Sequence, residues 1–184
     1  MTSGQQSADK RTSPDPGEKR RRQVLAWMRI HGEPIPGGVL AKRFHVSRQC
    51  LVQDVAILRA GGQEIMATPR GYQLPKPGRR AHRAVLACQH EPEQTEVELH
   101  TLVDNGVRVL DVSVEHPIYG ELRGSLMLES RADVQDFLDR LRSSQATLLS
   151  ALTGGVHLHT VEASRPEAIS RAKAELRRLG ILLK

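Results

Sequence analysis

Cysteine and aromatic side chains are both scarce in this 184-residue chain. Two cysteines, Cys50 and Cys88, are too few for a disulfide scaffold or a four-thiolate zinc site, so any metal is expected to be held by nitrogen and oxygen. Trp27, Phe44, Tyr72, Tyr119 and Phe137 are too few aromatics to build a platform that stacks single-stranded bases. No run of about 18 apolar residues offers a membrane span. The opening MTSGQQSADKRTSPDP lacks the apolar stretch of a signal peptide. The expectation is a soluble, cytoplasmic protein with no membrane partner. Internal repeats, a Walker loop and a GxGxxG fingerprint are also absent, which leaves nucleotide-phosphate chemistry without a motif.

Charge, by contrast, is abundant and unevenly divided. Residues 1–80 carry 15 Lys and Arg against 6 Asp and Glu, hence +9, whereas residues 81–184 carry 12 against 15, hence −3. The basic half is the candidate partner of a polyanion, and double-stranded DNA suits it better than single strands. Composition changes at two places. Residues 1–18 are Ser-, Gln-, Asp- and Pro-rich without periodicity and are expected to be a disordered tail. Pro75-Lys76-Pro77-Gly78-Arg79-Arg80 restricts its own dihedrals and lacks two amide donors, as suits a linker. The chain therefore divides into a unit at 19–76 and another at 77–184.

In the first unit, Val24, Leu25, Met28 and Ile30 form a helical stripe over 18–31 that Gly32 ends. A short helix is expected over 37–44. Ser47 is placed to cap a third helix running to Ala60, with Leu51, Val55 and Leu58 facing its neighbours. Two short strands around Pro69-Arg70-Gly71 complete a winged helix-turn-helix pattern. Arg48 and Gln49, at the amino end of the third helix, and Gln53 one turn on, are in position to read base edges. Lys42, Arg43 and wing residue Arg70 suit phosphates, and Arg20-Arg21-Arg22 is a weaker phosphate candidate.

In the second unit, extended segments are expected at 84–89, 107–114, 122–129, 147–152 and 156–162, with a last short one at 181–183. Helices are expected at 95–104, 131–141 and 166–179, the last capped by Ser164-Arg165-Pro166-Glu167. The fold class is α+β: a winged helix-turn-helix followed by an α+β sandwich, helices on one face of a largely antiparallel sheet.

His157-Leu158-His159 is the sharpest chemical signal. On a strand, residues i and i+2 project from one face about 6 to 7 Å apart, so both imidazoles can meet one ion. The same pair could equally be two polar residues on a wet sheet face. Further ligands would come from His90, Glu91, Glu93, Glu96, Glu98, His100, Glu115 or His116. Thr95-Glu96-Val97-Glu98 fits a capping box, in which Glu98 bonds the Thr95 amide instead.

The Ser47-Arg48-Gln49 helix start, Arg70-Gly71-Tyr72-Gln73-Leu74, Cys88-Gln89-His90, Val114-Glu115-His116-Pro117-Ile118-Tyr119-Gly120 and Gly155-Val156-His157-Leu158-His159-Thr160 occur in an order that resembles the niacin-responsive bacterial repressors with a three-histidine (3H) domain. The resemblance covers about residues 19 to 184. It implies a homodimeric repressor of NAD-precursor uptake or biosynthesis genes that binds operator DNA with nicotinic acid as co-repressor. It also implies a divalent metal held by His90, Glu98, His157 and His159, a donor set that fits nickel or zinc; beside it Glu115 is a candidate carboxylate near the ligand, and His116 is either a turn residue or a partner that fixes a ligand tautomer. Cys50 departs from the Thr or Ser expected in the recognition helix. Two other readings stay open: a metal-dependent hydrolase fused to a DNA-binding module, and a direct metal sensor.

Overall fold

The computed structural model describes residues 16–75 and 81–183. The tail expected over 1–18 thus falls outside the described residues up to residue 15, and Pro16 to Glu18 are helical. The linker residues 76–80 also lie outside them. Two compact units result, one comprising the chain to Ile65 with Gly71–Pro75, the other Met66–Arg70 with the chain beyond the linker. No helix among the described residues is long and apolar enough to cross a membrane.

The first unit holds α1 (Pro16–His31), α2 (Gly37–Arg43) and α3 (Arg48–Ala60). Val24 and Met28 of α1, Leu40 and Ala41 of α2 and Leu51 and Val55 of α3 share one core with Ile35 and Ile65. The Ser47 hydroxyl accepts the Cys50 amide at 3.1 Å, supplying the expected cap of α3. Gly32, at φ 63, ends α1 in the left-handed region. Strands β1 (Met66–Thr68) and β2 (Gly71–Gln73) form the small wing sheet. Tyr72 exchanges backbone bonds with Ile35 at 2.9 Å each way. That approach requires glycine at 71, because a Cβ there would sit 2.2 Å from the Ile35 carbonyl oxygen.

The second unit is built on β3 (His82–Gln89), β4 (Arg108–His116), β5 (Gly120–Leu128) and β6 (Val156–Ala163), ordered β3-β6-β4-β5 with every pairing antiparallel. Side chains alternate along β6: His157, His159, Val161 and Ala163 are buried, while the residues between them are less so. Helices α4 (Thr95–Asp104), α5 (Arg131–Ser144) and α6 (Pro166–Arg178) place Leu99, Leu102, Val134, Leu138, Ile169 and Leu176 into one cluster with Leu86, Val109, Leu128 and Val161 of the sheet. A bulge between Val109 and Asp111 shifts the β4–β5 register.

Three local expectations are corrected. The run 147–152 is not a strand: Leu149–Thr153 forms a 3-10 helix, in which the Thr153 hydroxyl donates to the Ser150 carbonyl at 3.1 Å. A short apolar run has no periodicity of its own to separate the two states. Ser164 does not cap α6, whose N-cap is Arg165 with no side-chain bond. At the carboxy end only a single bridge forms, Leu182 to Cys88, flanked by bonds from Gln89 to Ile181 and from Leu183 to Ala87.

Candidate metal centre and nucleic-acid interface

The β3–β6 register sets Cys88 opposite His157 and Leu86 opposite His159. His90 follows directly on β3. Glu98, on the first turn of α4, points back at that face, so four side chains from three elements meet. Nε2 of His90 lies 2.8 Å from one Glu98 carboxylate oxygen, and Nε2 of His159 lies 3.4 Å from the same oxygen. His157 Nε2 is 3.2 Å from the other. The relative exposures of His90, Glu98, His157 and His159 are 8%, 1%, 3% and 3%, so water does not separate them. The other acidic-half candidates, Glu91, Glu93, Glu96, Glu115, His100 and His116, remain exposed or half-buried and do not enter this group.

Each imidazole spends Nδ1 on a backbone carbonyl. His90 donates to Glu91, His157 to Gly155 and His159 to Asp111, all at 2.8 Å. Neutral rings fixed in that tautomer present three Nε2 lone pairs to a carboxylate, an arrangement of acceptors that only protons or a cation can hold together. The donor set suits a metal. With metal–ligand bonds of about 2.0 to 2.1 Å, neighbouring ligands stand roughly 2.9 Å apart at right angles and roughly 3.3 Å apart in a tetrahedron, the range found around Glu98. Burial pushes the Glu98 carboxyl up, but His159, His157 and His90 outweigh it and hold the carboxyl well below its ordinary range. Burial likewise pulls His90 and His159 down, yet the Glu98 carboxylate outweighs it and leaves both raised.

Two residues of this centre escaped the sequence reading. Cys88 is fully buried, and its sulfur lies within 4.8 Å of donor atoms of Glu98 and His157. Sulfur therefore belongs to the available donor set, contrary to the expectation of nitrogen and oxygen alone. Burial, then the Glu98 charge, pushes the free thiol far above its ordinary range, so without a cation it stays protonated. Gly155, at φ 86, is the second: a Cβ there would lie 2.3 Å from the His90 carbonyl oxygen. Its side-chain-free backbone lets β6 begin against His90, and its own carbonyl orients His157.

The capping-box reading of Glu98 is also corrected. The N-cap of α4 is Gln94, with no side-chain bond, and Glu98 turns to the histidines instead. Beside the donors lies a small cavity walled by Leu99, Val112, Leu126, Phe137 and Leu149, with Thr95 and Ser150 as its hydroxyl groups. Neither Glu115 nor His116 lines it. His116 Nδ1 instead accepts the amides of Ile118 and Tyr119 at 3.2 and 3.3 Å, closing its own hairpin turn.

In the first unit, Arg48, Gln49 and Gln53 are exposed on α3, as are Lys42 and Arg43 at the end of α2. The Arg43 guanidinium lies 4.5 Å from the centroid of the Trp27 ring. Arg20 and Arg21 are engaged elsewhere: both donate to Asp54 of α3, Arg20 at 2.6 Å, which ties α1 to the recognition helix. Arg70, expected to meet phosphate, instead donates to Asp133 at 2.6 Å within the second unit.

Comparison with known proteins bears on both units. The 3H domain family matches residues 83–184 and an HTH domain family matches residues 20–73. Over 171 residues the chain is 42% identical to the transcription repressor NadR of Bacillus subtilis (strain 168), covering 91% of this chain and 95% of that protein. Over 166 residues it is 40% identical to the probable transcription repressor NiaR of Thermotoga maritima, covering 90% and 94% respectively.

Proposed function

The chain belongs to the family of transcription repressors that includes NadR and NiaR, with an HTH domain ahead of a 3H domain, and from that premise we propose that it is a cytoplasmic, homodimeric repressor of NAD-precursor genes with nicotinic acid as co-repressor. Its relatives are repressors and not enzymes, so the hydrolase reading is dropped. His90, Glu98, His157 and His159 hold a divalent first-row ion, nickel or zinc. The observation that carries this is the convergence of three Nε2 atoms, each ring fixed through Nδ1 to a carbonyl, on one buried carboxylate. A bound ion supplies a positive centre at the cavity, toward which a pyridine carboxylate is drawn.

The DNA side follows from the exposed face of α3. Arg48, Gln49 and Gln53 read base edges in the major groove, and Lys42 and Arg43 hold phosphates. Two copies related by a twofold axis read half-sites one helical turn apart, about 34 Å, or a multiple of it. Nicotinic acid favours the DNA-competent state; a coupling of about 1 to 3 kcal/mol raises operator affinity roughly 5- to 150-fold. Gel shifts of metal-stripped and metal-loaded protein, each with and without nicotinic acid, test the scheme. Full operator affinity is expected only with both present. Full affinity with metal alone would instead make the protein a direct metal sensor.

A further inference from the structure

We propose that Thr95 is the residue that reads the carboxylate of the effector. The inference rests on the nicotinic acid reading above and assigns the chemistry of the cavity beside the metal centre. Thr95 is 7% exposed, and its hydroxyl oxygen is fully enclosed yet has no hydrogen-bond partner. The hydroxyl does not cap α4, because the N-cap is Gln94. Thr95, Glu98 and Leu99 stand at i, i+3 and i+4 on that helix and so share one face, and all three line the same cavity. An enclosed hydroxyl without a partner destabilises the ligand-free fold, and an acceptor supplied from outside the chain removes that cost.

The shape and charge of the cavity specify that acceptor. Leu99, Val112, Leu126, Phe137 and Leu149 form apolar walls, the kind of surface against which an aromatic ring packs. At the polar end, one carboxylate and three neutral imidazoles around a divalent ion, with Cys88 beside them as a neutral thiol, leave one net positive charge. A planar monoanion is matched to that charge, whereas the corresponding amide is not. The occupant is therefore a pyridine monocarboxylate, its ring among the apolar walls and one carboxylate oxygen accepting from the Thr95 hydroxyl. A hydrogen bond to a charged group in such a site is lost in full when the donor is removed.

Calorimetry of the metal-loaded protein with nicotinic acid and with nicotinamide tests the assignment in the wild type, Thr95→Val and Thr95→Ser. The wild type is expected to prefer the acid. Thr95→Val should weaken nicotinic acid binding by about tenfold to a hundredfold, while Thr95→Ser keeps most of the affinity. Chelator competition should give Thr95→Val the wild-type metal affinity. Its melting temperature without nicotinic acid should equal or exceed that of the wild type, because an unpartnered hydroxyl has become a methyl group. Equal nicotinic acid affinity in the wild type and Thr95→Val overturns the assignment alone. So does a joint loss of metal and effector affinity in both variants, which would mark Thr95 as structural. Absence of nicotinic acid binding to the loaded wild type removes the effector reading, and this assignment with it.

Discussion

Gly154 and Gly155 offer a matched pair of perturbations beside the metal centre, since both hold positive φ, at 60 and 86. An alanine at either position carries the left-handed penalty, about 1 to 2 kcal/mol. At 154 nothing lies within 4 Å of the added Cβ, so that penalty is the whole effect. At 155 the Cβ would stand 2.3 Å from the carbonyl oxygen of His90 and 3.1 Å from its carbonyl carbon. Contacts between such atoms settle near 3.5 Å, so the start of β6 or His90 itself must retreat by about 1 Å. His90 Nε2 sits only 2.8 Å from Glu98, and a shift of that size takes one donor out of the set. Disturbing the groups that orient a ligand lowers metal affinity by roughly 10- to 100-fold. Gly155→Ala should therefore bind cobalt or zinc at least about tenfold more weakly than Gly154→Ala, with wild type close to the latter. Chelator-competition titrations on the three proteins measure this directly. Equal affinities for the two variants would show that contact with His90 does not support the site.

Metal loading should also respond to pH in a defined direction. Raised pKa values mean that His90 and His159 stabilise the stripped protein fully below the ordinary histidine range, near 6.5, and that this stabilisation is lost as pH rises through the folded values. Glu98, held low, stays ionised throughout pH 6 to 8. The ion needs unprotonated Nε2 atoms, so the metal-induced rise in melting temperature should be larger at pH 8 than at pH 6; scanning calorimetry showing the reverse would refute the shared site. In the first unit, Asp54→Ala removes the acceptor of Arg20 and Arg21 from a position only 2% exposed and should cost about 1.5 to 3 kcal/mol in urea titrations. A change under about 0.5 kcal/mol would place that cluster among ordinary surface pairs. Arg48→Ala should weaken operator binding more than binding to random duplex in fluorescence anisotropy, and an equal loss on both would reassign Arg48 to phosphate.

The parts of this molecule that the sequence makes legible are those whose cause is local. Ser47 caps α3 because the residue and the amide it accepts are three positions apart, and β6 is visible because alternation along Val156–Ala163 is a property of the strand itself. The parts that stay hidden depend on partners far along the chain. Thr95 to Glu98 carries a sound capping pattern, yet Glu98 bonds His157, 59 residues away, and the buried histidines win because an ionised carboxylate cannot remain among them unpaired. Arg70 resembles a free phosphate contact until Asp133, 63 residues distant, is in place. Cys88 is the clearest case. A thiol count excludes an all-cysteine site correctly, but it says nothing about a single sulfur that strand register sets opposite His157. Counting a residue type bounds the sites it can build alone; it does not bound the sites it can join. For the same reason, His157 and His159 are readable as candidates from spacing, whereas the choice of His90 and Glu98 from eight competing histidines and carboxylates rests on the family resemblance alone until the sheet supplies its physical cause.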